Sequence, residues 1–206
     1  MASLQELLTQ QPPTTSGVHE AMAQHAEDTF TQLGGILPLF VGKRKKGNYL
    51  TFALPNAVTQ DNGALLQTLS DIIFVYDLKL ASFMTAIRTR VHESSIPKLG
   101  ALLMTADDAK ALFQLPWELE FDSASNLVNS TRSSSDGEII PRSTWEAFFA
   151  RTGDLNARQV VYETLIQRFG SQDQLPPISL THVSSAVRPM PLDIRLPQNA
   201  ILPPPR

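Results

Sequence analysis

Histidine is the first residue type to test for chemistry, because it is both a common metal ligand and the usual general base near neutral pH. His19, followed by Glu20, lies close to His25 in the sequence. A zinc-protease helix carries its two histidines four residues apart, which places both on one face. His19 and His25 are six residues apart, so on a helix they diverge by roughly 120°. We therefore predict no metal site, no cofactor, and two histidines on the polar side of a helix.

The sequence also lacks motifs that mark common catalytic nucleophiles and phosphate loops. It contains no cysteine, which excludes disulfides, thiolate catalysis and cysteine-ligated metals. It has no Gly-x-Ser-x-Gly elbow and no glycine-rich loop of the Walker or dinucleotide-binding type, so the best-known hydrolase and nucleotide-binding signatures are missing. We predict no catalytic residue. Because missing motifs exclude only the classes that bear them, a small-molecule enzyme without a recognisable motif stays as the third alternative.

Paired carboxylates are the next candidates, and Glu118 and Glu120 would share one face of a strand. Trp117, Leu119 and Phe121 alternate with them, a pattern typical of a half-buried strand. The simplest interpretation is a solvated outer face for the two glutamates, with the three apolar side chains turned inwards.

A basic cluster is the sharpest local charge feature of the chain. Lys43, Arg44, Lys45 and Lys46 lie between two predicted strands, with Tyr49 close by. On a hairpin tip these residues would be able to grip phosphates, as β-ribbon proteins do; the alternative is a solvated tip whose charges discourage edge pairing. The formal net charge of −3 argues against general nucleic-acid adhesion. A nucleic-acid-contacting accessory factor is therefore the second alternative for function.

Proline usage changes sharply near the C-terminus. Eight of the fifteen prolines follow residue 175, where each fixes φ and favours extended geometry in the residue before it. Apolar residues spaced through such a segment suit docking along another surface with little ordering entropy left to lose. The sequence leaves open whether that surface belongs to the same chain or to another. The candidate partner-contacting residues are Ile178, Leu180, Val183, Met190, Leu192, Ile194, Leu196, Ile201 and Leu202.

Apolar spacing predicts the helices that position these features. The clearest pattern combines a cap at Asp61 with apolar residues from Leu65 to Tyr76. Asp107 and Asp108 look like the first turn of a helix, and Ser143 with Glu146 matches a capping box. The predicted helices cover residues 18–33, 62–76, 105–114, 143–153 and 156–169.

Alternating or short apolar runs predict the strands. Residues 78–91 fit a helix or a strand, and we favour the strand. Pro38 suggests that the first strand lies at an edge of the sheet or carries a bulge. Residues 123–137, rich in serine and asparagine, are expected to be a loop. The predicted strands cover residues 36–41, 49–54, 78–91 and 117–121, with a short apolar run at 101–104.

Mixed helices and strands with one antiparallel hairpin indicate an α+β fold, with a single small mixed or antiparallel sheet and packed helices. We divide the chain into an N-terminal extension at 1–17, a globular domain at 18–170 and an extended proline-rich arm at 171–206. One core is expected to bury the following residues together: Phe52, Leu66, Leu69, Ile73, Trp117, Leu119, Val161 and Leu165.

The leading interpretation of function is a non-enzymatic structural or interaction protein. Its arm would dock on like or unlike protein subunits of a larger assembly, such as a virion or similar complex. The sequence shows neither a secretion signal nor an apolar run of about 20 residues that would span a bilayer. We therefore expect a cytoplasmic protein with no membrane partner.

Overall fold

The computed structural model describes residues 3–35, 37–45, 48–59, 61–89, 98–124, 126–133, 138–171 and 175–176. These residues form an α+β fold, as predicted. The helices are α1 (Leu4–Gln10), α2 (Thr15–Leu33), α3 (Asn56–Thr59), α4 (Asn62–Tyr76), α5 (Arg142–Ala150) and α6 (Leu155–Phe169). The strands are β1 (Leu39–Arg44), β2 (Tyr49–Ala53), β3 (Leu78–Thr89), β4 (Lys98–Asp107), β5 (Leu112–Phe121) and β6 (Leu127–Arg132).

All the described strands join one antiparallel sheet in the order β2-β1-β3-β4-β5-β6. The predicted hairpin is present, with Phe40 of β1 opposite Phe52 of β2. Helices α3 and α4 connect β2 to β3, which pairs with the other side of β1. The segment 78–91, which fitted either a helix or a strand, contains the strand β3. The sheet therefore ends in two edge strands, β2 and β6.

Helices cover both faces of the sheet. On one face, α2 packs across the middle strands and α1 packs on α2, where Leu4 and Leu8 are buried. On the other face, α4 lies on the sheet and α5 and α6 pack against α4. Trp145 of α5 also reaches the sheet, with its ring 5.8 Å from that of Phe83. The result is a three-layer arrangement with an apolar cluster on each side of the sheet.

The central strands are apolar on both faces for this reason. In β4, Ala101 and Leu103 belong to the cluster under α2, whereas Leu102 and Met104 belong to the cluster under α4. A strand covered on both sides reads as a continuous apolar run and loses the alternation of a half-buried strand. This explains why residues 101–104 stood out only as a short run.

Three predicted helices are confirmed together with their end signals. Asp61 caps α4 through a hydrogen bond from the amide of Ala64, at 2.6 Å. Gly34 and Gly170, which follow α2 and α6, have positive φ angles of 62° and 77°. Glycine adopts this left-handed conformation without the steric cost that a Cβ imposes.

The helix predicted at 105–114 is wrong. These residues end β4, turn, and begin β5. The Asp107 carboxylate accepts hydrogen bonds from the amides of Ala109 and Ala111, both at 2.9 Å, and Lys110 has a φ of 74°. Aspartate stabilises turns in the same way as it caps helices, so the local signal does not distinguish the two structures. Pairing of β4 with β5 decides between them.

The loop predicted at 123–137 contains the edge strand β6, so that prediction is also wrong. Ser130 pairs with Leu119 and Asn129 with Glu120. A strand at the edge with one exposed face needs few apolar residues, and the polar sequence of β6, with Asn129, Ser130 and Thr131, therefore resembled a loop.

Of the two possibilities that Pro38 suggested for the first strand, the edge position is wrong, whereas β1 does carry a register irregularity in its pairing with β3, between Lys43 and Arg44. Strand β1 lies between β2 and β3, and Pro38 precedes its first residue, outside the ladder, where no donor is lost.

The capping box predicted at Ser143 is not formed. Helix α5 begins one residue earlier, with Pro141 at the cap position and no side-chain cap bond from that residue. Instead, Glu138 accepts a hydrogen bond from the amide of Arg142, at 2.7 Å. The carboxylate of Glu138, which precedes the helix, therefore accepts a hydrogen bond from a first-turn amide, as Ser143 was expected to do.

The predicted single core is in fact two clusters, because the sheet separates them. Leu66 is only partly buried, and its neighbour Leu65 points into the core. Trp117 and Leu119 lie in the cluster under α2. The cluster under α4 contains Phe52, Leu69, Ile73 and Leu165, with Val161 at its margin.

Replacing Leu69 by alanine tests the α4 layer. Leu69 is fully buried, so L69A should lower the free energy of unfolding by about 2–5 kcal/mol. L66A is the matched control, since it removes the same atoms from a partly exposed site on the same helix and should cost much less. Urea unfolding of both variants measures the difference. Equal costs would contradict the observed orientation of α4.

Candidate interaction site

The first residues of the proline-rich segment are held by the body of the protein. Leu175 is buried in the cluster under α4. The Tyr76 hydroxyl donates a hydrogen bond to the carbonyl oxygen of Pro176, at 2.6 Å. Burial, together with the neighbouring Tyr162, raises the pKa of Tyr76, so the phenol stays protonated and remains a donor. We call Leu175, Pro176 and Tyr76 the arm anchor.

The arm anchor lies on the α4 face of the sheet, close to Phe52 of the edge strand β2. The ring of Tyr76 is 6.5 Å from that of Phe52 in β2, and Phe52 is 5.8 Å from the ring of Phe169 at the end of α6. Arg44 completes the corner, since its Nε donates to the carbonyl oxygen of Tyr76 at 2.9 Å. The arm anchor therefore lies where residues of β1, β2, α4 and α6 come together.

The nine candidate partner-contacting residues, from Ile178 to Leu202, lie outside the described residues, as does His182. Their role stays a prediction. The sequence analysis did not single out the contacts that fix the start of the arm, Leu175 and Tyr76. A buried leucine between polar residues and prolines, and a tyrosine at a helix end, carry no local signal that would pair them.

The basic cluster does not converge on one surface. Lys43 lies on the α2 side of the sheet, with its Nζ 4.7 Å from the centroid of the Tyr49 ring. Arg44 is the next residue of the strand and lies on the opposite face, against Tyr76. Lys45 is exposed, and Lys46 lies outside the described residues. Two of the four cations thus pack on tyrosines on different sides of the sheet, and nucleic-acid contact by this cluster stays a prediction.

Asp71 is the most deeply buried carboxylate among the described residues, and it is fully engaged. Its two oxygens meet Arg151 at 2.5 Å and Arg168 at 2.8 Å. Gln67 donates to the same carboxylate at 3.0 Å. The cluster joins α4 to the end of α5 and to α6. A buried ion pair of this kind is strongly destabilising to break because it would leave an uncompensated charge, so its role is structural.

His19 belongs to a polar chain between α2 and the sheet. Its Nδ1 lies 3.0 Å from the hydroxyl of Thr105, which lies 2.7 Å from the hydroxyl of Ser82. The His19 ring also stacks on Phe113 at 5.4 Å. The interpretation of His19 as a polar-face residue is therefore incomplete. Ser82 and Thr105 are fully buried, so neither hydroxyl is placed to meet a substrate, and the chain of contacts holds α2 on the sheet.

Burial also sets the protonation of His19. Loss of water, and to a smaller extent the positive charge of Arg132, lower the pKa of His19 to about 4. The pKa of His25, whose Nδ1 is buried without a hydrogen-bond partner, is lowered by burial as well. Both shifts favour the neutral imidazole at physiological pH.

The paired glutamates of β5 and an open depression at the start of α6 lie on the surface of the described part of the chain. Glu118 and Glu120 are exposed on the side of β5 away from α2, as predicted, and Glu120 accepts a hydrogen bond from Asn129 at 3.2 Å. An open depression at the start of α6 is lined by residues around Asp154 and Arg158. Asp154 caps the helix there, and Arg158 pairs with Asp77 at 3.5 Å. Among the described residues, no group of three or more His, Cys, Asp or Glu side chains is arranged to hold a metal ion.

Within the described ranges, no helix is both long enough and apolar enough to cross a membrane. Comparison with known proteins gives no relative: no protein family matches the chain, and no curated protein or solved structure is significantly similar to it.

The depressed pKa of His19 predicts a pH dependence of stability. In the unfolded chain the imidazole takes up a proton near pH 6.5, whereas in the folded protein it does so only near about pH 4. The unfolded state therefore binds more protons between these values, and stability should fall as the pH is lowered from about 7 towards about 5. Urea unfolding across this range should show a shallower decline for H19Q than for the wild type.

A second variant, H25Q, removes the other histidine of α2 whose pKa is lowered by burial. It should also make the decline of stability with falling pH shallower. The double variant should show the smallest pH dependence. An unchanged slope in H19Q would mean that His19 titrates alike in the folded and unfolded protein, which would contradict the lowered pKa of His19.

Proposed function

We propose that this is a non-enzymatic interaction protein whose C-terminal arm docks on neighbouring subunits of a larger assembly. The simplest assembly of this kind is built from copies of the chain itself; a virion or a similar complex is an example. The observation that carries the proposal is the arm anchor. Leu175 is buried in the body and Pro176 is hydrogen-bonded to Tyr76, and the apolar, proline-rich sequence continues from that fixed point.

The covering of the body supports docking on another subunit. Helices cover the central part of the sheet on both faces, and few large apolar side chains remain exposed. Among the described residues these side chains are distributed over several elements, and only two of them share a helix, α6: Leu33, Phe113, Val128, Ile139, Leu155 and Val160. These scattered side chains offer the later part of the arm, residues 184–206, little apolar surface on the described part of its own body, which supports docking on another subunit.

The free energy gained by burying apolar side chains of the arm is large enough to bind a partner. Burying a large aliphatic side chain contributes about 1.5–3 kcal/mol relative to leaving it in water. Ordering a flexible segment opposes this gain, but proline restricts the free chain and lowers the entropy that docking removes. A few of the nine candidate side chains would therefore be enough to offset the cost of association.

The polar groups of the body support a structural role over an enzymatic one. The carboxylate of Asp71 joins three helices, that of Asp107 closes the turn between β4 and β5, and the imidazole of His19 holds α2 on the sheet. Each of these groups is committed to contacts that maintain the fold.

Removing the arm after the anchor tests the proposal. A chain ending at Pro176 keeps Leu175 in the core and the hydrogen bond to Tyr76, so it should stay folded. Its mass in solution, measured by light scattering or sedimentation, should be that of a monomer, whereas the full chain should form a larger species.

A full-length variant provides the matched control for chain length. Replacing Leu192, Ile194 and Leu196 by serine keeps every proline and should weaken assembly to a similar extent as truncation. A truncated chain that is folded and still assembles would place the interface on the body and overturn the proposal.

A further inference from the structure

Strand β2 is an edge strand that lacks the usual protection of edges. Its sequence, Tyr-Leu-Thr-Phe-Ala, contains no charged residue and no proline, and tyrosine, threonine and phenylalanine favour strands. Among the described residues, β2 pairs with β1 on one side and with no strand on the other. Proteins commonly blunt such an edge with charges, proline or a bulge, or cover it with another segment.

The opposite edge shows the contrast. Strand β6 pairs with β5 through an irregular register at Glu120 and Phe121. It ends in Arg132, which forms an ion pair with Glu27 at 2.6 Å. A bulge and a charge are two devices that discourage pairing at an edge. Because β6 has both and β2 has neither, β2 is the edge that needs a cover.

We propose that residues 178–183 of the same chain pair with the open side of β2 and form a seventh strand of the sheet. This inference goes beyond the proposed function, because it concerns the first part of the arm and the chain's own body.

The arm anchor places these residues within reach of β2. The carbonyl oxygen of Pro176 is bonded to Tyr76, whose ring lies beside Phe52 of β2. Two further residues extend at most about 7 Å, which is comparable to the 6.5 Å between the rings of Tyr76 and Phe52, and the proposal places residue 178 at the edge. Six residues then match the length of β2, which has five.

The sequence of the segment suits a strand. Residues 178–183 read Ile-Ser-Leu-Thr-His-Val and contain no proline, although prolines occur on both sides, at Pro177 and Pro189. Isoleucine, threonine and valine favour strands, and main-chain hydrogen bonds give strand addition its affinity.

The arm anchor favours residues 178–183 over the β2 strand of a second molecule as the pairing partner of β2. An edge that is unprotected would otherwise pair with the same edge of another molecule. The anchor holds residues 178–183 at a high effective concentration beside β2, and pairing within one molecule costs no loss of overall translation and rotation. Residues 184–206, which contain six of the nine candidate apolar residues, remain available for the partner.

Hydrogen exchange of the β2 amides, followed by mass spectrometry on the full chain, tests the inference. L180P places a residue without an amide hydrogen in the middle of the added strand, and A186P makes the same kind of change beyond it. We expect β2 amides to exchange at least about tenfold faster in L180P than in the wild type, since paired amides exchange only on opening. A186P should match the wild type, and the α4 amides should stay protected in both variants.

Truncations separate this inference from the proposed function. A chain ending at residue 183 should keep the protection of β2 while losing assembly, and a chain ending at Pro176 should lose both. The inference is overturned if L180P leaves β2 exchange unchanged. It is also overturned if β2 protection rises with protein concentration, because a second molecule would then be covering the edge.

Discussion

The need to bury both faces of the central strands shapes the whole molecule. Strands β1, β3 and β4 bury apolar side chains on both faces of the sheet, as in Leu39, Phe40 and Val41, which are fully buried. One layer of helices would leave half of these side chains in water, at a cost of about 1.5–3 kcal/mol for each. The chain therefore supplies α1 and α2 for one face and α4, with α5 and α6 packed on it, for the other. The short N-terminal helix is part of this cover, since Leu4 and Leu8 lie in the same cluster as α2.

Polar groups inside the molecule follow from the same constraint. Each helical layer must be held in one orientation on the sheet, as well as bury its apolar side. A few hydrogen-bonded and charged groups fix that orientation. On one side, His19 and Thr105 join α2 to β4. On the other side, Asp71 joins α4 to α5 and α6 through two arginines. Histidine and aspartate invite a catalytic interpretation in a sequence. In the structure, His19 and Asp71 make the contacts that hold the layers together.

The sequence predicted those helices in which several local signals agree. Helices α2, α4 and α6 were found because apolar spacing, an aspartate cap or a following glycine agree with each other. Prediction failed where the same residue serves two structures. Asp107 stabilises a turn as readily as a helix start, and the polar sequence of β6 is a strand only because β5 provides the ladder beside it. The division into two apolar clusters and the position of the arm anchor depend on contacts between residues far apart in the sequence, so no local pattern reveals them.

Helices cover both faces of the sheet among the described residues, and we propose that the apolar residues of the arm dock on another subunit. Cross-linking between copies tests most directly whether the arm docks on another subunit. A photo-reactive residue at position 192 would be introduced into isotopically heavy protein, which is then mixed with light protein before irradiation. The account predicts cross-linked peptides that join a heavy arm to a light body. Cross-links confined to heavy arms and heavy bodies, in a mixture shown to exchange subunits, would mean that the arm packs on its own chain and would contradict the account.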